Sequence, residues 1–418
     1  MIRIAYHTLG CKVNQYESEK IRESLESAGF ATVPFSSPAD AYIINTCSVT
    51  GAADSKSRAA VRRALKLNPD AFVVVSGCYA ELEPAQIAEI EGVGLVVPND
   101  EKDAIPERII AHFALPHSAI SDSHATRPRM RTRAVVKVQD GCDQFCSYCV
   151  IPYARTGKTS RPMNDVLAEL RSLADFGYKE VVLAGIRLGS YVYGDAKLPE
   201  LIKEAAGIQG IKRIRLSSIE PWEVDDTLLN AMDSPKVCRH LHIPLQSGDD
   251  NTLRRMNRPY DSEKYRSIIT KVRERIPGIG ITTDVIVGFP GETGEAFENT
   301  SAMIRDIDFS RLHVFRYSAR KRTKACDLPD QVDANIKKER AERLIELGKV
   351  GMKRFASTLI GDVINVLVET GTPNVLRGFA DNYVEVTFSG DLSLRGKVVR
   401  VKITGADQDG GALGEIVD

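Results

Sequence analysis

Three cysteines lie within eight residues of one another in the stretch GCDQFCSYC, residues 141–149. Thiolates this close on one loop can bind a single metal centre, but they cannot all pair as disulfides. A structural zinc site needs a fourth ligand, and an iron–sulfur cube normally takes four cysteines. Cys142, Cys146 and Cys149 therefore predict a cluster with one iron left open for a substrate or cofactor, and a zinc knuckle with a distant fourth ligand is the alternative.

Three further cysteines each end a segment with the composition of a β-strand: Cys11 in IAYHTLGC, Cys47 in AYIINTC and Cys78 in FVVVSGC. The carboxyl ends of parallel strands meet at one edge of an open sheet, so these thiols are expected to be neighbours. Gly10 and Gly77 precede two of them and would let the backbone approach a bulky centre. The pattern favours a second three-thiolate cluster, and three unrelated buried thiols are the alternative.

The bulk composition is that of a globular chain without a global electric field. The 418 residues exceed one ordinary core, so two or three domains are expected. The formal net charge is +0, so no global field attracts nucleic acid or membrane, and any such partner must be held by local patches. The sequence shows no signal-peptide pattern and no apolar run of ~18 residues, which predicts a cytoplasmic protein with no membrane partner. Cys238 and Cys326 are expected to be ordinary thiols.

The hydrophobic patterns predict an α/β chain in successive segments. Residues 1–115 alternate strands with helices, which indicates an open, doubly wound parallel α/β domain. Residues 116–133 form a basic linker without periodicity, and residues 134–350 predict a partial (β/α)6 barrel with a trailing helix. Residues 354–418 predict a small all-β, OB-like domain. The six barrel strand candidates are AVVKVQD, EVVLAGI, RIRLSSIE, LHIPLQ, GITTDVIVGF and RLHVFRYS.

These motifs together resemble a known family. CxxxCxYC on the first barrel strand is similar to the signature of radical S-adenosylmethionine enzymes. HTLGCKVNQYES, INTCSVT and SGCYAE resemble the N-terminal domain of the methylthiotransferases, HIPLQSG and TDVIVGFPGET resemble their barrel motifs, and the C-terminal module is similar to their TRAM domain. Within that family, TLGCKVNQYES resembles the subfamily that acts on threonylcarbamoyladenosine in tRNA.

The resemblance implies a reaction and its cofactors. A methylthio group would be added to C2 of threonylcarbamoyladenosine next to the anticodon of tRNA, with S-adenosylmethionine and two 4Fe-4S clusters. Cys142, Cys146 and Cys149 would hold the cluster that cleaves S-adenosylmethionine to a radical, and Cys11, Cys47 and Cys78 would hold the cluster that carries the sulfur. Contacts to S-adenosylmethionine are implied for Tyr148, Gly185, Ser218, Glu220, Gln246, Ser247 and Asp284. A core or turn role is the alternative for each of them.

Local basic patches predict where RNA binds, because phosphate contacts dominate RNA affinity. The candidates are Arg127, Arg129, Arg131 and Arg133 in the linker, and Arg316, Arg320 and Arg322 after the last barrel strand. The expected partners are the anticodon stem-loop of tRNA and an electron donor such as flavodoxin or ferredoxin, with the chain itself a monomer.

Two stretches depart from the family pattern. Arg187 in LAGIRLGSY stands where a histidine or asparagine is expected. Lys321 and Arg322 in YSARKRTKA stand where relatives usually carry a Pro- or Gly-containing turn.

Two other functions stay open. The first is a radical methylthiotransferase that acts on a ribosomal protein side chain or on another modified adenosine. The second is a redox or scaffold protein that uses clusters only for electron transfer or stability. The second function predicts closed clusters with four ligands, and two sets of three cysteines argue against it.

Overall fold

A computed structural model describes residues 1–114 and 131–417 of the chain. The described residues form two compact units. The first unit comprises residues 1–114, 140–158 and 318–326, and the second unit comprises residues 131–139, 159–317 and 327–417. In these ranges, no helix has both the length and the apolar character needed to cross a membrane.

The first unit is built around a five-stranded parallel sheet with the strand order β2-β1-β3-β4-β5. Its elements are β1 (Arg3–Thr8), α1 (Lys12–Ser27), β2 (Ala31–Val33), β3 (Ala41–Thr46), α2 (Gly51–Leu67), β4 (Phe72–Gly77), α3 (Cys78–Leu82), α4 (Pro84–Ala88), β5 (Val93–Val97), α5 (Ile105–His112) and α6 (Ile151–Ala154), with 3₁₀ helices at Asn99–Ala104 and Lys324–Cys326. The order reverses between β1 and β3, which is the topological switch point where ligands bind in open α/β sheets. The doubly wound parallel domain was predicted from the sequence.

The sheet is covered on both faces because every residue of β3 is buried and successive side chains point to opposite sides. Tyr42 and Ile44 pack in one apolar cluster with residues of α2. Ile43 packs in the other cluster with residues of α1 and α5. Both faces of β3 are therefore core, which explains why its first four residues, AYII, form a continuous apolar run rather than an alternating pattern.

The second unit contains six parallel strands that match the six predicted barrel strands. Its elements are β6 (Arg133–Lys137), β7 (Gln139–Asp140), β8 (Thr159–Ser160), α7 (Met163–Asp175), β9 (Glu180–Ala184), β10 (Val192–Tyr193), β11 (Ala196–Lys197), α8 (Leu198–Gly207), β12 (Arg213–Leu216), α9 (Asp226–Ala231), β13 (His240–His242), α10 (Asp250–Arg255), α11 (Ser262–Arg275), β14 (Gly280–Val287), α12 (Gly294–Ile307), β15 (Arg311–Arg316) and α13 (Ala334–Ser357), with 3₁₀ helices at Leu188–Ser190 and Pro221–Glu223. β12, β9 and β6 form one parallel sheet, and β13, β14 and β15 form another. A bridge between Ser218 and His242 joins the two sheets, so the six strands follow one another in barrel order.

The C-terminal part of the second unit is a closed five-stranded β-barrel with the order β16-β17-β18-β20-β19. Its strands are β16 (Val363–Thr372), β17 (Val375–Ala380), β18 (Glu385–Phe388), β19 (Val398–Ala406) and β20 (Ala412–Ile416), with a 3₁₀ helix at Leu392–Leu394. The small all-β module was predicted from the sequence, and its assignment as a TRAM or OB-like domain stays a prediction.

Buried charges attach this small barrel to the central strands. Glu180 of β9 has no exposed surface and accepts hydrogen bonds from Arg215 Nε (2.7 Å) and Arg213 Nη1 (3.4 Å) of β12. The two guanidinium groups also donate to main-chain carbonyls of the small barrel, among them Phe379 O (2.9 Å) and Ala380 O (3.1 Å). Glu180 therefore fixes the two arginines that hold the small barrel.

We expect Glu180→Gln to lower the free energy of unfolding by about 3–5 kcal/mol, because it leaves two buried cations with a neutral partner. Burial raises the pKa of Glu180, but Arg215 and Arg213 outweigh burial and hold this pKa below its usual value. The stabilisation is therefore present above the pKa of an unfolded glutamate, about 4.3, and is lost as the pH falls through the folded-state pKa. Urea unfolding at neutral and acidic pH measures both effects.

The exposed pair Arg266–Asp306 offers a control, since Asp306→Asn should change stability by less than about 1 kcal/mol. Equal losses in the two variants would contradict the assignment.

Candidate functional site

The first unit brings Cys11, Cys47 and Cys78 to one edge of its sheet. Cys11 lies between β1 and α1, Cys47 follows β3, and Cys78 follows β4 as the first residue of α3. Cys11 is exposed, whereas Cys47 and Cys78 are buried. The pKa of Cys47 is raised to about 11, chiefly by burial and in smaller part by the neighbouring Cys78 and Cys11 thiols. The three thiols are thus neighbours, as the strand-end pattern predicts.

Two glycines allow this close approach. Gly10 and Gly77 have φ angles of +99° and +100°, a region that side chains rarely adopt. A Cβ on Gly10 would lie 3.1 Å from Cys47 Sγ, and a Cβ on Gly77 would lie 2.3 Å from the carbonyl oxygen of Thr46. The turns that carry Cys11 and Cys78 therefore pack against the segment that carries Cys47 only because these positions lack side chains.

A buried arginine connects this edge with the segment that carries the other cysteines. Arg155 follows Cys149 by six residues and is 4% exposed. Its Nη1 donates to Glu17 Oε1 (2.8 Å) and to both carboxylate oxygens of Asp140 (2.9 Å). Its Nη2 donates to Asn14 Oδ1 (2.7 Å) and Glu17 Oε2 (3.0 Å). Glu17 and Asn14 both belong to α1, which begins directly after Cys11.

Lys102 completes the buried ion cluster. Its Nζ donates to Glu17 Oε2 (2.5 Å) and Asn45 Oδ1 (3.3 Å), and the residue is 3% exposed. Burial raises the pKa of the Cys78 thiol, while the positive charges of Arg155 and Lys102 oppose that rise. Two buried cations therefore stand beside the thiol, where a thiolate would need compensation.

The CxxxCxxC loop is anchored within the same unit. Gly141 has φ +75°, and a Cβ there would lie 1.6 Å from the carbonyl oxygen of Gly157, so the position before Cys142 requires glycine. Cys149 N donates to Cys146 O (3.0 Å), which makes a tight turn of the last two cysteines.

Direct packing joins the two sets of cysteines. Cys78 and Leu82 form one buried apolar cluster with Val150 and Ala154, and Val150 is the residue after Cys149. The two cysteine segments, far apart in sequence, are thus neighbours in the first unit.

The cysteine side chains do not form a finished metal site. Within residues 1–114 and 131–417, no three His, Cys, Asp or Glu side chains are placed so that they could hold a metal ion. The donor chemistry nonetheless fits an iron–sulfur cluster, since thiolates are its preferred ligands. Arg155 Nε is buried with no hydrogen-bond partner among the described residues, so it is a donor available to a sulfur atom.

The predicted S-adenosylmethionine contacts fall into both units. Tyr148 lies in the first unit and is partly exposed. In the second unit the predicted residues follow the carboxyl ends of parallel strands, except for one that lies within β14: Gly185 after β9, Ser218 and Glu220 after β12, Gln246 and Ser247 after β13, and Asp284 in β14. These positions correspond to the active-site end of a βα barrel.

Several of these side chains already have protein partners. Glu220 pairs with Arg258. Asp284 Oδ2 lies 3.1 Å from His242 Nε2, and Ser247 Oγ lies 3.3 Å from Thr300 Oγ1. Gln246 has φ +62°, an uncommon conformation for a residue other than glycine.

Gly185 has no room for a side chain, because a Cβ there would lie 2.9 Å from Gln139 Oε1. Arg187, which stands where a histidine or asparagine is expected, pairs with Glu223 (Nε–Oε1, 2.6 Å). The cofactor role of the whole set stays a prediction.

The linker arginines have different environments. Arg127 and Arg129 lie outside the described residues. Arg131 is exposed. Arg133 pairs with Glu369 (Nε–Oε1, 2.6 Å), and its guanidinium lies 5.1 Å from the centre of the Phe379 ring. The guanidinium of Arg133 is therefore engaged within the protein, and its contact with RNA stays a prediction.

The second arginine group is partly structural. Arg316 and Arg322 are exposed. Arg320 pairs with Asp54 (Nη2–Oδ2, 2.6 Å) and donates to Ser48 Oγ (2.6 Å), so it connects its segment to the turn after Cys47.

The sequence patterns did not single out the buried ion cluster. Asn14 and Glu17 recur on the face of α1 that also carries the buried Ile21 and Leu25. Polar residues on an otherwise apolar helix face were the available signal, since a buried carboxylate needs a partner.

Two family models match the chain. Residues 3–98 match the model described as "Uncharacterized protein family UPF0004", and residues 136–304 match that of the radical SAM superfamily. Among solved structures, the radical S-adenosylmethionine methyltransferase TsrM from Kitasatospora setae superposes with a TM-score of 0.56 over 75% of this chain and 73% of that one. At 16% identity this likeness concerns the fold alone.

Curated relatives match over nearly the full length. The threonylcarbamoyladenosine tRNA methylthiotransferase MtaB of Bacillus subtilis is 41% identical, over 96% of this chain and 94% of that protein. The enzyme of the same name from Thermotoga maritima is 37% identical, over 96% and 95%. The tRNA-2-methylthio-N(6)-dimethylallyladenosine synthase of Acetivibrio thermocellus is 35% identical, over 95% and 87%. The chain therefore belongs to the radical S-adenosylmethionine methylthiotransferases of the MtaB type.

Proposed function

We propose that this protein adds a methylthio group to C2 of threonylcarbamoyladenosine next to the anticodon of tRNA, using S-adenosylmethionine and two 4Fe-4S clusters. The similarity to MtaB enzymes supports the substrate. One structural observation supports the mechanism: Cys78 packs in one apolar cluster with Val150, the residue after Cys149, so a segment of each cysteine set lies in the same part of the first unit. A protein that only stores or passes electrons would have no need for two adjacent centres that each lack a fourth cysteine.

Cys142, Cys146 and Cys149 would hold one cluster, and Cys11, Cys47 and Cys78 the other. Acid–base side chains cannot replace an aromatic C–H by sulfur, so the reaction needs cofactor chemistry. When bound, the two clusters would supply one-electron cleavage of S-adenosylmethionine and the sulfur atom. The protein supplies placement and a dry environment. Cys47 and Cys78 are 8% and 3% exposed, so water has little access to their sulfur atoms.

The buried cations have a defined role in this scheme. Arg155 and Lys102 place positive charge beside Cys78, and Glu17 holds both of them in position. The two cations would therefore lower the cost of a thiolate ligand at Cys78. Cys11, at the exposed side of the sheet edge, leaves access for the base that receives the sulfur.

The S-adenosylmethionine contacts that we propose are Tyr148, Gly185, Ser218, Glu220, Gln246, Ser247 and Asp284, supported by their places at strand ends and beside Cys149. We further propose Arg131 and Arg316 as contacts to the backbone of the anticodon stem-loop, and Arg320 and Arg322 as residues beside its target nucleoside. Flavodoxin or ferredoxin is the proposed reductant, and the proposed state is a monomer in the cytoplasm. The domain limits at residues 115, 134, 350 and 354 belong to the same proposal.

The substrate is tested by mass spectrometry of nucleosides from tRNA digests. We expect a deletion strain without a paralogue to lack 2-methylthio-threonylcarbamoyladenosine and to accumulate the unthiolated nucleoside. Plasmid-borne wild type should restore the product, and Cys146→Ala should not. Undiminished product in the deletion strain would refute the tRNA assignment, and loss of a methylthiolated dimethylallyladenosine instead would move the enzyme to the neighbouring subfamily.

The second cluster is tested by counting iron and sulfide after anaerobic reconstitution. We expect about eight irons per wild-type chain and about four in Cys11→Ala, since each cube holds four. Cys238→Ala is a matched control, because Cys238 is a buried cysteine of the second unit and should keep about eight irons. Full iron content in Cys11→Ala would remove Cys11 from the ligand set.

A further inference from the structure

A cavity of ≈ 260 Å³ in the first unit is lined in part by segments that adjoin Cys78 and Cys149. Its walls include Val150, which follows Cys149, and Leu82, which ends the helix that begins at Cys78. The remaining lining residues are Asp54, Glu83, Gln86, Ala319, Arg320, Lys321 and Arg322. A group held in this cavity would therefore lie next to the segments that carry the proposed ligands of both clusters.

The basic turn of residues 319–322 is firmly anchored at this position. Ser318 Oγ accepts a hydrogen bond from Gly51 N (3.0 Å), and Ala325 N donates to Ser147 O (2.7 Å). Arg320 pairs with Asp54 (2.6 Å), and its side chain is 11% exposed. Its Nε is buried without a hydrogen-bond partner among the described residues. The turn therefore presents a fixed donor to the cavity.

Two further cations lie on the turn, in a cavity that is also lined by the carboxylates of Asp54 and Glu83. In the part of the chain that the structure describes, neither Lys321 nor Arg322 forms an ion pair. Arg322 has φ +72°, a conformation that favours glycine, and its Nη2 lies 3.4 Å from Leu82 O. A Pro- or Gly-containing turn is the family expectation at this position, so a contact made by Lys321 and Arg322 would be particular to this chain.

The size of the cavity selects the group that it can hold. Pockets for drug-sized ligands measure about 300–1,000 Å³, so this cavity is too small for a nucleotide but suits an amino-acid-sized group. The threonylcarbamoyl group of the substrate is such a group, with a carboxylate, a hydroxyl and a urea linkage. Its carboxylate complements the unpaired cations, and Glu83 and Gln86 can accept hydrogen bonds from its hydroxyl and urea N–H groups.

We propose that this cavity receives the threonylcarbamoyl group of the target nucleoside, with Lys321 and Arg322 binding its carboxylate and Arg320 positioning the turn. The proposal rests on the proposed function and deepens it, because it names residues of this chain that would contact the threonylcarbamoyl group of the substrate. A phosphate of the RNA backbone is the other anion that could occupy this place, and the experiment separates the two.

The test measures affinity of the reconstituted protein for anticodon stem-loops by fluorescence anisotropy, anaerobically and at one fixed salt concentration. The three RNAs carry threonylcarbamoyladenosine, plain adenosine, or a threonylcarbamoyl group whose carboxylate is replaced by a primary amide. We expect wild type to bind the first RNA at least about tenfold more tightly than the other two, as suits hydrogen bonds to a charged group. The double variant Lys321→Met, Arg322→Met should lose this preference, while its affinity for the plain stem-loop falls less than about threefold.

Lys324→Met is the matched control, because Lys324 is an exposed cation of the same segment that does not line the cavity. It should keep the preference, and unchanged iron content and melting temperature would show that each variant is folded. Equal weakening of all three RNAs in the double variant would assign the two cations to backbone phosphate and overturn the proposal, as would a wild type without preference. Measuring the methylthiolated product separates failure of the proposed function from failure of the cavity assignment. If wild type does not methylthiolate the first RNA, the proposed function fails; if it does and the double variant keeps its preference, only the cavity assignment fails.

Discussion

The buried contact between Arg155 and Glu17 is the interaction on which the first unit depends. Removing a charge from water is costly, so a buried guanidinium is stable only when carboxylates and hydrogen bonds surround it. Arg155 meets this requirement with Glu17, Asp140 and Asn14. Arg155 follows Cys149, and its partners Glu17 and Asn14 lie on α1, which begins directly after Cys11. The ion pair and hydrogen bonds of Arg155 therefore hold the CxxxCxxC segment at the carboxyl edge of the sheet. The adjacency of the proposed clusters thus follows from electrostatics as well as from apolar packing around Cys78.

The sequence was sufficient for features that depend on neighbouring residues or on the geometry of a parallel sheet. Cys11, Cys47 and Cys78 were placed together because each follows a strand, and parallel strands end at one edge. The six barrel strands were visible because short strand-like segments alternate with amphipathic stretches of helix length. The edge strands β2 and β5 were not predicted, since β2 has three residues and β5 alternates only weakly.

Contacts that depend on distant parts of the chain could not be predicted in this way. Arg155 and Glu17 are 138 positions apart, and no local pattern links them. The same holds for Arg320 and Asp54, which form an ion pair because residues 318–326, after the last barrel strand, belong to the first unit. The grouping of residues 140–158 and 318–326 with the N-terminal domain is likewise a tertiary result, since both lie inside the segment that the sequence patterns assign to the barrel.

The charges around Cys78 also suggest why the exposed thiol is Cys11. Arg155 and Lys102 are balanced by Glu17 and Asp140, so the ion cluster is neutral before any thiol loses its proton. The pKa of Cys47, raised to about 11 by burial, means that this thiol loses its proton at neutral pH only if a bound metal or cluster takes the place of the proton. Each thiolate formed in the interior then adds negative charge to a dry environment, where the nearby cations and the positive charge of bound iron offset part of it. A third thiolate is least costly where water can solvate it, and Cys11 at the open side of the sheet edge is the position that meets this condition.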